Sequence, residues 1–126
     1  MERKKWKNHN FHEALKYSID GIKYTFKQER NLRIQLVFAI CAIALGVFLK
    51  LSEIEFVFLI LTIGLVLFAE MVNTSLEFLF DLYSEEYNDK IKCGKNIASG
   101  AVLITSIVSV IVGIILFLPK ILNIIR

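Results

Sequence analysis

Residues 54–82 read IEFVFLILTIGLVLFAEMVNTSLEFLFDL, and the fold turns on what happens after Ala69. The stretch 56–69 carries no charge, and the helix-compatible pattern then runs without a break through Glu70 to Leu82. One helix over 54–82 is therefore expected, longer than the ~30 Å hydrocarbon core of a bilayer. Two further apolar runs flank it. Residues 34–51 hold no charge between Arg33 and Lys50 and would cover roughly 27 Å as a helix. Residues 97–118 form a third run, which Pro119 is expected to end. A short turn at Ser52 to Glu55 joins the first two spans, and a polar, mixed-charge segment from Tyr83 to about Asn96 joins the second and third.

Upstream of the first span, Phe11, Leu15, Ile19, Ile22 and Phe26 recur at helical spacing, while Glu13, Lys16, Asp20, Lys23 and Lys27 fill the other face. Residues 11–30 thus read as an amphipathic helix lying flat on the membrane, its lysines toward anionic headgroups. Before it, Arg3, Lys4, Lys5 and Lys7 surround Trp6 in a basic arm with an interfacial anchor. The expected fold class is an all-α membrane protein with three transmembrane helices plus an N-terminal surface helix. With 56% hydrophobic residues and a mean hydropathy of +0.58, the chain is too apolar for an ordinary soluble domain. The polar first thirty residues predict no cleavable leader, and no nucleic-acid partner is expected.

Orientation follows from the basic residues. Arg3, Lys4, Lys5, Lys7, Lys16, Lys23, Lys27, Arg30 and Arg33 precede the first span, and Lys90, Lys92 and Lys95 follow the second. Between spans one and two stands Lys50, against Glu53 and Glu55. The N-terminus and second loop are predicted to face the cytoplasm, leaving Lys120 and Arg126 outside as a minor exception. Cys41 lies in an apolar run and Cys93 in a lysine-rich segment, so both read as free thiols. His9 and His12 lack partners at metal-ligand spacing and read as solvated residues.

Glu70, Asn73, Glu77 and Asp81 stand at offsets of 0, 3, 7 and 11, within an arc of about 80° on one helix face. A carboxylate near the bilayer centre costs roughly 2.5–3.5 kcal/mol on insertion scales, so such residues usually face a polar cavity and mark function. The alternative is that Glu70 pairs with a lysine only to hold helices together. Counting from Glu55, Glu70 lies about 22 Å along the helix and Glu77 about 33 Å, against a core of about 30 Å. Glu70 is then inside the lipid region, suited to accept a proton, while Glu77 and Asp81 emerge into water, suited to a hydrated cation. About 10 Å apart along the axis, the two glutamates should do different jobs.

A Gly-rich phosphate loop is lacking, because Gly94-Lys95 has no upstream glycine to complete one. Lys95 can neutralise phosphate charge, with Ser99 one turn deeper on the same face; as a lone feature it reads more often as a flanking lysine reaching for the interface. Ser99, Ser106 and Gly113, seven residues apart, suit close helix packing.

The run Glu70-Met71-Val72-Asn73-Thr74-Ser75-Leu76-Glu77-Phe78-Leu79-Phe80-Asp81 resembles the signature of the prokaryotic diacylglycerol kinase family. Glu29-Arg30-Asn31-Leu32-Arg33, Ser84-Glu85-Glu86-Tyr87 and Gly94-Lys95-Asn96-Ile97-Ala98-Ser99-Gly100-Ala101-Val102 also resemble its blocks, and the likeness extends over residues 14–112. It implies a homotrimeric bundle in the bacterial cell membrane that moves the γ-phosphate of ATP to a lipid hydroxyl, with sites shared between subunits. Carried over by position, Glu70 is the catalytic base, Glu29 and Glu77 hold Mg2+, and Asn73 is a polar residue of the substrate site. Lys95 contacts ATP phosphate, and Tyr17 and Ser18 lie near the nucleotide. Ser99 is counted with the substrate site and Asn96 with the nucleotide.

At Asn96 the family usually has aspartate, so a negative charge is lost and the setting of Lys95 changes. Glu29-Arg30-Asn31 resembles the undecaprenol kinase branch, which favours undecaprenol over diacylglycerol as substrate. Two readings of other classes stand beside the kinase: a catalytically silent scaffold, motivated by Asn96, and a transporter coupled through Glu70. The second leaves Glu29 and Lys95 without a role.

Overall fold

A computed structural model describes residues 10–126, all in four helices and their short connections. The basic arm with Arg3, Lys4, Lys5, Trp6, Lys7 and His9 lies outside the described residues. Helix α1 (Phe11–Gln28) starts at Asn10, whose side chain accepts from the Glu13 amide at 2.8 Å. Its apolar stripe is uncovered: Phe11, Leu15, Ile19, Ile22 and Phe26 are all exposed, and Thr25 alone in the helix is buried.

Glu29 breaks the helix with extended torsions and at the same time precedes α2 (Arg30–Phe48). Two helices meeting end to end leave carbonyls of the first unpaired. Arg33 answers them, one guanidinium nitrogen donating to the Phe26 and Lys27 carbonyls at 3.0 and 2.7 Å. A cation at a helix C-terminus also meets the negative end of its dipole. The α1–α2 corner, with Glu29 in it, is thereby fixed. α2 begins four residues before the expected 34, because Arg30 and Arg33 are spent on this corner rather than on a loop.

α2 ends in a two-bond stop in which the Leu51 amide donates to Gly46 at 3.0 Å and the Lys50 amide to Val47 at 3.2 Å. This geometry requires a left-handed residue between them, and Lys50 supplies it with φ 57°. Leu51 folds back so closely that a Cβ on Gly46 would stand 2.9 Å from its side chain and 3.1 Å from the Phe56 ring. Two substitutions therefore act in opposite directions. Lys50→Gly should raise the thermal midpoint in detergent, since a left-handed L-residue costs about 1–2 kcal/mol; Gly46→Val should lower it, by about 1–3 kcal/mol of overpacking. Equal midpoints for both would contradict this account of the turn.

Helix α3 (Glu53–Tyr83) opens with a reciprocal cap, the Ser52 hydroxyl accepting from Glu55 and the Glu55 carboxylate from Ser52, and Glu53 and Glu55 sit at the positive dipole end. The expected turn at 52–55 is therefore mostly helix. Helix α4 (Asp89–Ile125) starts at Asn88, which accepts from the Lys90 and Ile91 amides, so Lys90, Lys92, Cys93, Lys95 and Asn96 stand on a helix rather than in a loop. Beside that start the Tyr87 hydroxyl donates to Asp89 at 2.7 Å, which holds the phenol above its usual pKa.

Pro119 does not end α4 as expected; the helix continues to Ile125. Proline removes a single N–H bond, and in apolar surroundings the helix is the conformation that satisfies all the other backbone groups. Beyond the proline, Lys120 reaches back to Glu55 at 3.3 Å, fastening the end of α4 to the start of α3.

α2, α3 and α4 are each long and apolar enough to cross a membrane. α3 and α4 form the most extensive pair, and Leu51, Leu59 and Leu116 make a buried cluster with Ala42, Phe56, Ile63, Val112 and Phe117 near the Ser52 turn. Most large apolar side chains, among them Phe38, Phe58, Phe68 and Ile104, face outward. So much outward apolar surface on helices long enough to span fits a membrane protein.

Candidate active site

The functional stripe lies on the last four turns of α3, at the end away from the apolar cluster. Glu70 is 1% exposed, the most enclosed large side chain among the described residues, although it is an acid on an apolar helix. Such burial is tolerated only where polar partners compensate. The partner is Gln35 on α2, whose Nε2 donates to Glu70 Oε2 at 3.3 Å. Thr74 does not compete for the carboxylate; its hydroxyl returns to the Glu70 main-chain carbonyl at 3.0 Å.

One turn further on, buried Asn73 donates through Nδ2 to Glu77 Oε1 at 3.2 Å, an i,i+4 contact that fixes the Glu77 carboxylate. Glu29 stands in the α1–α2 corner, at the same end of the bundle as Glu77. A single protomer thus gathers three acids from two distant stretches of the sequence, Glu29 ahead of α2 and Glu70 with Glu77 on α3. The Tyr24 and Phe78 rings, 5.6 Å apart, brace α1 against α3 beside them.

Past Glu77, Asp81 receives the Lys95 ammonium at 2.7 Å, both side chains remaining partly exposed. This pairing holds a cation next to the acids at the polar end of the stripe. Gly94 makes the approach of α4 feasible, since the Phe80 ring occupies the space its Cβ would need. Asn96 and Ser99 are exposed on the same stretch of α4, Ser99 one turn beyond Lys95.

Of the residues singled out from sequence, Glu29, Glu70, Asn73, Glu77 and Lys95 converge on this end of the bundle. Tyr17 and Ser18 stand on exposed parts of α1, the Ser18 hydroxyl donating to the Ala14 carbonyl at 2.8 Å. Sequence reasoning passed over Gln35 and Arg33. Gln35 had a visible signal, an amide alone in an otherwise apolar run.

Among the described residues no three His, Cys, Asp or Glu side chains close into a metal cage. Magnesium at a nucleotide is commonly held by one or two carboxylates, with water and phosphate oxygens completing its shell. The Glu77 carboxylate, oriented by Asn73, is a donor suited to such a site, and the Asn73 Oδ1 atom beside it is buried without a hydrogen-bond partner among the described residues.

Next to this site a groove of about 470 Å³ runs down the bundle. Gln35 stands in its wall, and Phe38, Leu59, Val66, Leu67 and Val110 make the rest almost wholly apolar.

Comparison with known proteins agrees with this chemistry. Residues 16–117 match the family described as prokaryotic diacylglycerol kinase. The chain is 31% identical to an undecaprenol kinase of Bacillus subtilis over 122 residues, covering 95% of this chain and 99% of that protein. It is 37% identical over 111 residues to a diacylglycerol kinase of Synechocystis, covering 87% of this chain and 63% of the other. A diacylglycerol kinase of Escherichia coli K12 is 32% identical over 103 residues, with 82% and 84% covered.

Proposed function

The chain belongs to the prokaryotic diacylglycerol kinase family, and from that premise we propose that it phosphorylates undecaprenol with ATP in the bacterial cell membrane. The observation that carries the reading is the enclosed Glu70 carboxylate, hydrogen-bonded to Gln35 in the wall of an apolar groove and two turns below a second, oriented carboxylate, with a lysine beyond it. Glu70 takes the proton from the lipid hydroxyl as its oxygen attacks the γ-phosphorus, and ADP leaves with the bond pair. Little covalent work falls to the protein, which positions the groups and balances charge.

Glu29 and Glu77 would hold Mg2+, which when bound neutralises phosphate oxygens of the nucleotide. Lys95 leaves Asp81 for the phosphates. Asn96 lies beside them, its amide keeping the hydrogen bonding of the aspartate usual there. Tyr17 and Ser18 serve the nucleotide from α1, and Asn73 and Ser99 line the acceptor side. α1 lies on the cytoplasmic leaflet, the spans follow α2, α3 and α4, and three copies form a bundle that shares its sites.

Undecaprenol is favoured because the relative named as its kinase aligns over nearly the full length of both chains. Diacylglycerol is the second reading, favoured by the higher identity to the Synechocystis relative. Purified protein given labelled Mg·ATP and the two alcohols in parallel should form lipid phosphate from undecaprenol at the higher kcat/KM. A preference for diacylglycerol would reverse the choice of substrate, and no lipid phosphate from either would remove the kinase reading in favour of a silent scaffold.

A further inference from the structure

Gln35 has no place in the chemistry so far, yet it is the side chain that touches Glu70. Its Nε2 is committed to Glu70 Oε2, while its Oε1 is buried and has no hydrogen-bond partner among the described residues. An orphaned buried acceptor costs about 1–3 kcal/mol, so a structure that keeps one usually needs it in another state of the site.

The other state is defined by the reaction. An ionised carboxylate is acceptor-only and must face a donor; once it has taken the alcohol proton it carries an O–H and must face an acceptor. A carboxamide presents both ends from one plane and exchanges them by a half-turn of its terminal torsion. We propose that Gln35 is a positioning residue for the proton transfer, donating through Nε2 to ionised Glu70 and accepting through Oε1 from protonated Glu70. The O–H bond of the alcohol breaks, its proton moves to Glu70, the new O–P bond forms as the bond to ADP breaks, and Gln35 satisfies the acid before and after. The same bond ties Glu70 to the wall of the groove that Gln35 lines.

This inference rests on the kinase reading of the site. Gln35→Met keeps the length and lacks both hydrogen-bonding ends, whereas in Gln35→His a neutral imidazole again offers a donor and an acceptor. Steady-state kinetics in mixed micelles, with thermal midpoints measured alongside, should show kcat for Gln35→Met down about tenfold or more, with KM for ATP and for lipid alcohol within about twofold. Gln35→His should recover at least about a third of the wild-type kcat. Wild-type kcat in Gln35→Met, or equal impairment of the two variants, would overturn the inference while leaving the kinase intact. A wild-type protein that forms no lipid phosphate would overturn the kinase reading, and this inference with it.

Discussion

Glu70→Gln is expected to reduce lipid phosphorylation by about 10²–10⁴-fold while leaving the KM for ATP nearly unchanged. The substitution keeps shape and volume in a position that is 1% exposed, so packing on α3 is conserved. It removes the proton acceptor and nothing else that the nucleotide would meet, because the phosphate-facing groups, Glu77 and Lys95, lie two and more turns further along. The pairing with Gln35 survives, since two carboxamides hydrogen-bond as well as a carboxamide and a carboxylate. Loss of kcat with retained nucleotide affinity is the signature of a group that acts in the transition state. If KM for ATP rises in step with the loss of kcat, Glu70 belongs to the nucleotide site and the division of labour along α3 is wrong.

Glu77→Gln should fail in a different way. Here the expected loss is in the magnesium dependence: the Mg2+ concentration for half-maximal rate rises, and kcat/KM for ATP falls by more than the ~10–100-fold that follows removal of a partner which merely orients a ligand. Asn73 gives the internal scale, because it holds Glu77 through one bond at 3.2 Å without needing to touch the ion. Asn73→Ala is accordingly expected to fall inside that range, and excess Mg2+ should recover it further than it recovers Glu77→Gln. Equal magnesium curves for wild type and Glu77→Gln would take the metal role away from Glu77.

Much of the helical layout was legible one segment at a time. Uncharged runs announced α2, α3 and α4, and three-and-four spacing announced α1, because periodicity and length are local properties of the chain. The stripe of Glu70, Asn73, Glu77 and Asp81 was legible for the same reason, being a property of one helix. The ends were harder. Asn88 begins α4 eight residues ahead of the uncharged run, since a cap competes for amides regardless of the charge that follows, and Pro119 sits inside α4 because surroundings without water penalise an open backbone more than one missing bond. Arg33 looked like a topology marker and is a cap for α1. Gln35 escaped because its meaning lies in a contact across 35 residues, which requires knowing that α2 and α3 run antiparallel with these two positions at one depth. The Lys95–Asp81 pair escaped likewise, each residue having been read on its own helix.

The account stands or falls on phosphoryl transfer into the membrane through an acid that sits below the water boundary. The most direct test reconstitutes the protein in lipid nanodiscs with undecaprenol and labelled Mg·ATP, and counts ADP and lipid-bound label in the same sample for wild type and Glu70→Gln. One lipid phosphate per ADP in the wild type, with both products lost together in the variant, is the predicted result. ADP released without label in the lipid, or equal label from the two proteins, would contradict it.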